Sequence, residues 1–192
     1  MIGVLVSGRG TNLQALLDAG LPVVAVASSQ PGVEALDRAH RADVEAAIFE
    51  LDDYPDRDAR DLAMADWLEG RRVDVVVAAG FMQLLRPVFL DRFRNRILNV
   101  HPALLPAFPG RTPVEDALAH GVKLTGVTVH LVDEGVDTGP IVLQECVPVE
   151  PGDTVETLHA RIQAVEHRLL PEAVSLVLAG RVRVDGRKVM IA

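Results

Sequence analysis

Three polar side chains in this sequence are spaced for acyl-group chemistry. Asn99 and His101 occupy positions i and i+2 of "ILNVHPALLPAFPG", at the end of an apolar run. On a strand that continues into a loop, both would project to one side. An amide N–H and an imidazole on that side can face one reacting atom and stabilise an oxyanion. Pro102, Pro106 and Pro109 restrict the loop that follows. A carboxylate, Asp137, comes later in "DEGVDTGP", before a glycine turn. Beside His101 it would raise the imidazole pKa and favour the donor form. His40, His120, His159 and His167 lack such company and are expected at surfaces or in helix packing.

These groups need a rigid frame, and the apolar pattern supplies one. Short Val/Ile/Leu-rich runs, "IGVLV" (2–6), "PVVAVAS" (22–28), "AAIFE" (46–50), "VDVVVAA" (73–79) and "RILNV" (96–100), alternate with the helical patterns "TNLQALLDAG", "GVEALDRAHRA" and "DRDARDLAMADWLEG". That alternation predicts an α/β fold with a doubly wound, mostly parallel sheet. After residue 120, "LTGVTVHLV" and "PIVLQECVPV" flank the turn "DEGVDTG", which predicts an antiparallel C-terminal extension of the sheet. A long amphipathic helix over roughly 154–179 follows, with Thr154 near its start, and "RVRVDGRKVMI" reads as a hairpin around Asp185-Gly186. No repeat or linker interrupts the chain, so residues 1–192 are expected to form one domain.

In open sheets of this kind ligands bind beyond the carboxyl ends of the strands. At the first such end, "LVSGRGTNLQALL", Gly8-Arg9-Gly10 precedes a helix starting at Thr11 and Asn12, where free N–H groups and the helix dipole favour an anion. The same residues also suit a tight turn and N-cap without a ligand. Leu13 stands where a dinucleotide fingerprint needs a third glycine, and Ser28-Ser29 where it needs a ribose-binding carboxylate, so a phosphomonoester fits better than NAD. At a second end, "VVVAAGFMQLLRP", Gly80-Phe81-Met82 and Leu84-Leu85 could wall a slot for a flat heterocycle or simply be core.

Composition narrows the classes further. The formal charge of −8 argues against a nucleic-acid surface. No run of 18 apolar residues occurs, and the N-terminus enters a strand pattern directly, so a cytoplasmic protein without membrane contact is expected. The single cysteine, Cys146, excludes an intrachain disulfide and a Cys-based zinc cluster; in the alternating run "IVLQECVPV" it reads as a buried small hydrophobe.

The segments "SGRGTNLQAL", "AGFMQLL", "LNVHPALLPAFPG", "GVTVHLVDEGVDTGPI" and "IQAVEHRLLP" together resemble the glycinamide ribonucleotide formyltransferases, folate-dependent enzymes of purine synthesis, over essentially the whole chain. The combination Asn-x-His-Pro-(S/A)-Leu-Leu-Pro with a later Asp-x-Gly-Pro is specific for the wider 10-formyltetrahydrofolate formyltransferase superfamily and its Rossmann-like fold. The resemblance implies Asn99, His101 and Asp137 as the catalytic set. It puts the ribonucleotide phosphate on Gly10, Thr11 and Asn12, with Arg57 a weaker candidate, and ribose or the glycyl end on Gln163 and Glu166. The donor 10-formyltetrahydrofolate would lie against Met82, Leu84 and Leu85 and along Val132 to Val136 and Asp137.

The implied reaction is direct attack of the glycyl amine on the formyl carbonyl. Asn99 and protonated His101 would stabilise the oxyanion, and Asp137 would order a proton-relaying water. No metal is required. Dimers occur among relatives, which leaves a homodimer open, and no segment identifies an interface. Relatives commonly read "PGxH" where this chain has Pro109-Gly110-Arg111-Thr112, so whatever that histidine contributes is absent or supplied differently. Within the superfamily, a formyltetrahydrofolate hydrolase is expected to carry an extra domain before this one, and a methionyl-tRNA formyltransferase a basic domain after it. A non-catalytic nucleotide-binding module would need only the phosphate loop, leaving Asn99, His101 and Asp137 unexplained.

Overall fold

The structure is a computed structural model that describes residues 1–192. Five strands, β1 (Ile2–Val6), β2 (Val23–Ser28), β3 (Glu45–Ile48), β4 (Val75–Ala78) and β5 (Ile97–His101), pair in parallel, and β6 (Leu124–Leu131) and β7 (Ile141–Pro148) extend the sheet antiparallel. The order β3-β2-β1-β4-β5-β6-β7 reverses direction between β1 and β4. The crevice beyond that reversal is where an open α/β sheet accepts a ligand.

Both sheet faces are covered, which is why the parallel strands read as unbroken Val/Ile/Ala runs rather than alternating ones. On one face Ile2, Val4 and Val6 pack with α1 (Thr11–Asp18), α2 (Glu34–Arg41) and α6 (Val155–Leu178), which follows α5 (Pro113–His120) in the chain. On the other, Leu5, Val76 and Ile97 meet Met64, Ala65 and Leu68 of α3 (Arg57–Gly70) and Phe89 of the short α4 (Pro87–Leu90). The long C-terminal helix starts as its sequence indicates: Thr154 caps it, accepting from Thr157 N–H while the Thr157 hydroxyl accepts from Thr154 N–H. A separate hairpin, β8 (Val182–Asp185) and β9 (Lys188–Ile191), ends the chain.

The sequence pattern did not anticipate α5, an eight-residue helix opened by Pro113 and stopped by Gly121 at φ 72°. Its start lies among polar loop residues with no long apolar period. Cys146 departs from expectation outright, being exposed. Gln144, of the same parity, is exposed too, although it donates to Leu105 O and Thr128 Oγ1, whereas Val147, of opposite parity, is buried in the core that α6 shares. An irregularity opposite Val129 and His130 skips Val142 in the pairing, and Val142, of Cys146's own parity, lies in that same core. Cys146 therefore sits on the less covered face of an edge strand, where an alternating pattern does not reveal which parity is inward.

Candidate active site

At the end of β1 the chain turns through Gly10 in the left-handed region (φ 69°) and enters α1 with no side-chain cap. Its first-turn N–H groups thus remain available for an anion. Glycine here also answers to packing, because a Cβ on Gly10 would lie 2.6 Å from Ala35 Cβ. Helix α2 clamps the turn through Ala35 N–H to Gly8 O (3.1 Å) and Arg38 Nε–H to Arg9 O (2.8 Å). Helix α6 closes the other side: Gln163 Nε2–H donates to Thr11 Oγ1 at 3.0 Å, and Asn12 Nδ2–H to Glu166 Oε2 at 3.4 Å. Glu166 is buried with no cation bonded to it, and burial pushes its carboxyl up to about 7. Five of the six residues linked to the ribonucleotide are therefore brought together. Arg57 is not among them; at the start of α3 it lines a different cavity with Met82, Leu84, Asn99 and His101.

The second cluster forms at β5. Asn99 and His101 face the same side of the strand and share Asp137, which arrives on the loop between β6 and β7. His101 Nδ1 is 3.4 Å from Asp137 Oδ2, and its Nε2 is 2.8 Å from Phe108 O. Asp137 also accepts the Gly110 N–H at 2.8 Å, so the proline-rich loop and the β6–β7 loop are tied through one carboxylate. Asp137 (φ 54°) and Phe108 (φ 53°) both hold the left-handed backbone that side chains other than glycine rarely adopt. Such outliers concentrate at functional sites, where the surrounding bonds over-determine them.

The electrostatics of this cluster depart from the sequence reading. Burial holds the His101 imidazole below its usual value; Phe108 O and the Asp137 carboxylate pull upward without overcoming it, and His130 adds to the lowering. The expected net raising by Asp137 fails because the sequence shows the carboxylate and not the desolvation. For Asp137 itself burial is the largest influence and raises the carboxyl, but His130, the Gly110 N–H and His101 together outweigh it and leave a net lowering. With acceptors at both ring nitrogens, His101 satisfies both only as the imidazolium, the form that burial opposes.

His130 is the participant that sequence reasoning missed. It lies on β6 directly opposite Asn99. Its Nδ1 is 2.9 Å from Leu131 O, which fixes that nitrogen as a donor. Its Nε2 lies 3.1 Å from Asn99 Nδ2 and 3.6 Å from Asp137 Oδ1, so it accepts from the amide when the ring is neutral and donates to the carboxylate when the ring is protonated. The Asn99 amide therefore presents its N–H side to His130 and Asp137, and an incoming oxyanion would compete for a donor already oriented. The available signal was parity: "TGVTVHLV" places His130 in a strand that must pair with β5.

Between the two clusters runs the Gly80–Arg86 loop after β4. Met82 (64% exposed) and Leu84 (54% exposed) are not core residues. They line a cleft of about 520 Å³ with Asn99, His101, Asp137, Arg57 and Arg111. An adjoining slot of about 100 Å³ is lined by Phe81, Leu84, Leu85, His130, Val132, Val136 and Asp137. Arg111, in the segment that departs from "PGxH", thus puts a guanidinium on the cleft wall.

Oriented donors over one strand end and an open helix start two strands away suit a reaction that holds one molecule at its tail while its head reacts, which places the molecule among the α/β group-transfer enzymes. Comparison with known proteins makes this specific. The chain belongs to the formyl transferase family, whose model matches residues 1–174. It is 49% identical over 98% of its length to a phosphoribosylglycinamide formyltransferase of Mycobacterium tuberculosis, covering 92% of that protein. Among solved structures it is similar to glycinamide ribonucleotide transformylase 1 from Symbiobacterium toebii, with 51% identity, a TM-score of 0.97, and coverage of 99% of this chain and 92% of that one. It is also similar, at 27% identity and a TM-score of 0.89, to a formyltetrahydrofolate deformylase from Pseudomonas syringae pv. tomato, covering 99% of this chain and 65% of that one.

Proposed function

We propose that residues 1–192 form one formyltransferase unit that transfers the formyl group of 10-formyltetrahydrofolate to the glycyl amine of glycinamide ribonucleotide, a step of purine synthesis. The observation that carries this reading is the spacing of the two clusters. The ends of β1 and β5 are separated by β4 alone, which is two strand spacings or roughly 10 Å. A phosphate on the Gly10–Asn12 N–H groups would leave a sugar and a short amide arm to span that distance and bring the amine to Asn99.

The residues present fit the folate. Met82, Leu84, Leu85 and Val136 offer apolar walls to a flat ring, and Arg57 and Arg111 offer cations to anionic groups at the cleft wall. When bound, the folate supplies a formyl carbon on nitrogen, open to attack by an amine. Asn99 Nδ2–H and a His101 N–H stabilise negative charge on the formyl oxygen as it develops. The acceptor oxygens around His101 favour proton gain by the ring at that moment. Asp137 holds the ring and, through a water, would pass the proton leaving the attacking amine to the folate nitrogen, whose bond to the formyl carbon breaks as the oxyanion collapses. Gln163 and Glu166 hold the ribose hydroxyls of the acceptor.

The likeness to a deformylase gives a second reading, in which water replaces the amine. One assay separates them: folate product is followed with 10-formyltetrahydrofolate alone and with glycinamide ribonucleotide added. Transfer should exceed hydrolysis by orders of magnitude, because the amine is positioned and water is not. Equal turnover without the acceptor would favour the hydrolase, and no turnover with both substrates would remove the transferase reading.

A further inference from the structure

Two charged residues in the interior carry the inference. Arg60 and Asp61 are both fully buried in the first turns of α3, at the head of the stripe that Met64, Ala65 and Leu68 continue. Arg60 Nε–H donates to Asp61 Oδ1 at 2.5 Å. Neither residue contacts the Asn99 cluster through a hydrogen bond. Both instead reach the loop that walls the cleft. Asp61 Oδ2 accepts the Arg86 N–H at 2.7 Å, Arg60 Nη1–H donates to Gln83 Oε1, and the Arg60 guanidinium lies 5.8 Å from the Phe81 ring centre.

That loop lacks the usual backbone support. No N–H or C=O of residues 80–85 bonds to another backbone group. Its hydrogen-bonded attachments are Met82 N–H to Ser7 Oγ at 3.1 Å, the contacts to Arg60 and Asp61, and at its end an exposed bond from Arg86 Nε–H to Asp58 Oδ1 at 2.7 Å. Of the attachments to α3, those to Arg60 and Asp61 are the buried ones. Net stability does not account for the pair, since replacing a buried ion pair by apolar residues is often neutral or stabilising. What an apolar pair cannot supply is a carboxylate for Arg86 N–H and a guanidinium for Gln83.

We infer that Arg60 and Asp61 are positioning residues for the formyl-donor site, fixing the Gly80–Arg86 loop so that Phe81, Leu84 and Leu85 hold the shape of the slot. The inference rests on the proposed reading of that slot as the folate site. The pair acts on the donor side alone: the Gly10–Asn12 turn is held by α2 and α6, which the pair does not touch.

Two variants and two measurements test it. In Asp61→Asn, exchange of the Met82 and Arg86 amides, the hydrogen-bonded N–H groups of the loop, should accelerate in the free protein by about tenfold or more, as a locally freed segment does. The KM for 10-formyltetrahydrofolate should rise by about tenfold or more while that for glycinamide ribonucleotide stays within about twofold, since a misplaced wall harms only the ligand it shapes. Gln83→Leu removes the loop end of the contact without touching the helix; because Gln83 itself lines the cleft and the slot, its readout is the amide exchange, which should accelerate less than in Asp61→Asn and which decides the matter if Asp61→Asn does not fold. Unchanged exchange in both variants, or equal rises in both KM values, would overturn the inference. If the unaltered protein transfers no formyl group, the reading of the reaction fails, and the exchange comparison still decides what the pair does.

Discussion

The two ends of the cleft are built by different means. The β1 end uses backbone and a helix start, with Thr11 and Asn12 braced by Gln163 and Glu166 of α6. The β5 end presents side chains, Asn99, His101 and His130, gathered by one carboxylate from a distant loop. An anion can be held by N–H groups the helix exposes anyway, whereas charge that appears only during reaction needs donors aimed in advance. Breaking the β5 end should therefore lower kcat, and breaking the β1 end should raise KM.

The largest effect is expected at Asp137. Asp137→Asn removes the charge while nearly keeping the shape, and kcat should fall by roughly 10²–10⁴ with the ribonucleotide KM little changed. The His101 imidazole, already held low by burial, should titrate lower still, because one of the two groups pulling it upward is gone. NMR titration of His101 beside kcat checks both; an unmoved imidazole would remove the charge pairing, and near-normal kcat would remove Asp137 from the chemistry. Asn99→Ala should cost about 10²–10³ in kcat, as loss of one oxyanion donor does.

His130 comes next. His130→Phe keeps a ring on β6 but deletes the Nε2 acceptor that orients Asn99. A misaimed donor should lower kcat by about 10–100-fold with both KM values nearly kept. A normal kcat would show that Asn99 is oriented by Asp137 alone.

The same contrast explains what could be read from the sequence. Gly10, Thr11 and Asn12 are contiguous and Asn99 and His101 nearly so, so local spacing exposed them; the strand and helix order followed from apolar runs of the right lengths. His130 escaped because its role depends on antiparallel register, which places it opposite Asn99 from 31 residues away. The His101 shift escaped because desolvation belongs to the packed fold. Arg60 and Asp61 escaped because adjacent charges in "DARDLAM" carry no sign of burial. Gly10 shows the opposite trap: a glycine turn before a helix start is legible and the approach of Ala35 is not. Gly10→Val should therefore unsettle the fold as well as the ribonucleotide site, and Gln163→Leu is the cleaner break. It should raise the ribonucleotide KM by about 5–10-fold with kcat nearly kept, the size expected for one lost hydrogen bond; an unchanged KM would take Gln163 out of the site.

The smallest effect concerns stability at the β1 end. Burial raises the Glu166 carboxyl from 4.5 to about 7 in the folded protein. Below pH 4.5 both folded and unfolded chains hold the proton, and the residue imposes no pH-linked penalty. Between 4.5 and 7 the unfolded chain releases the proton while the folded one retains it, so stability declines as pH rises, and above 7 the penalty is complete. Its ceiling is on the order of 3 kcal/mol. Glu166→Gln imitates the protonated acid and can still accept from Asn12, so it should leave the Tm unchanged near pH 4 and raise it by several degrees at pH 8 to 9. His101 and His167, both lowered chiefly by burial, shift the stability of each protein the opposite way over the same range, and that contribution cancels in the difference. Thermal melts of the two proteins across pH supply the measurement. Parallel curves at every pH would mean that Glu166 ionises freely in the folded protein, and the carboxyl would then meet a bound phosphate as a full charge at neutral pH.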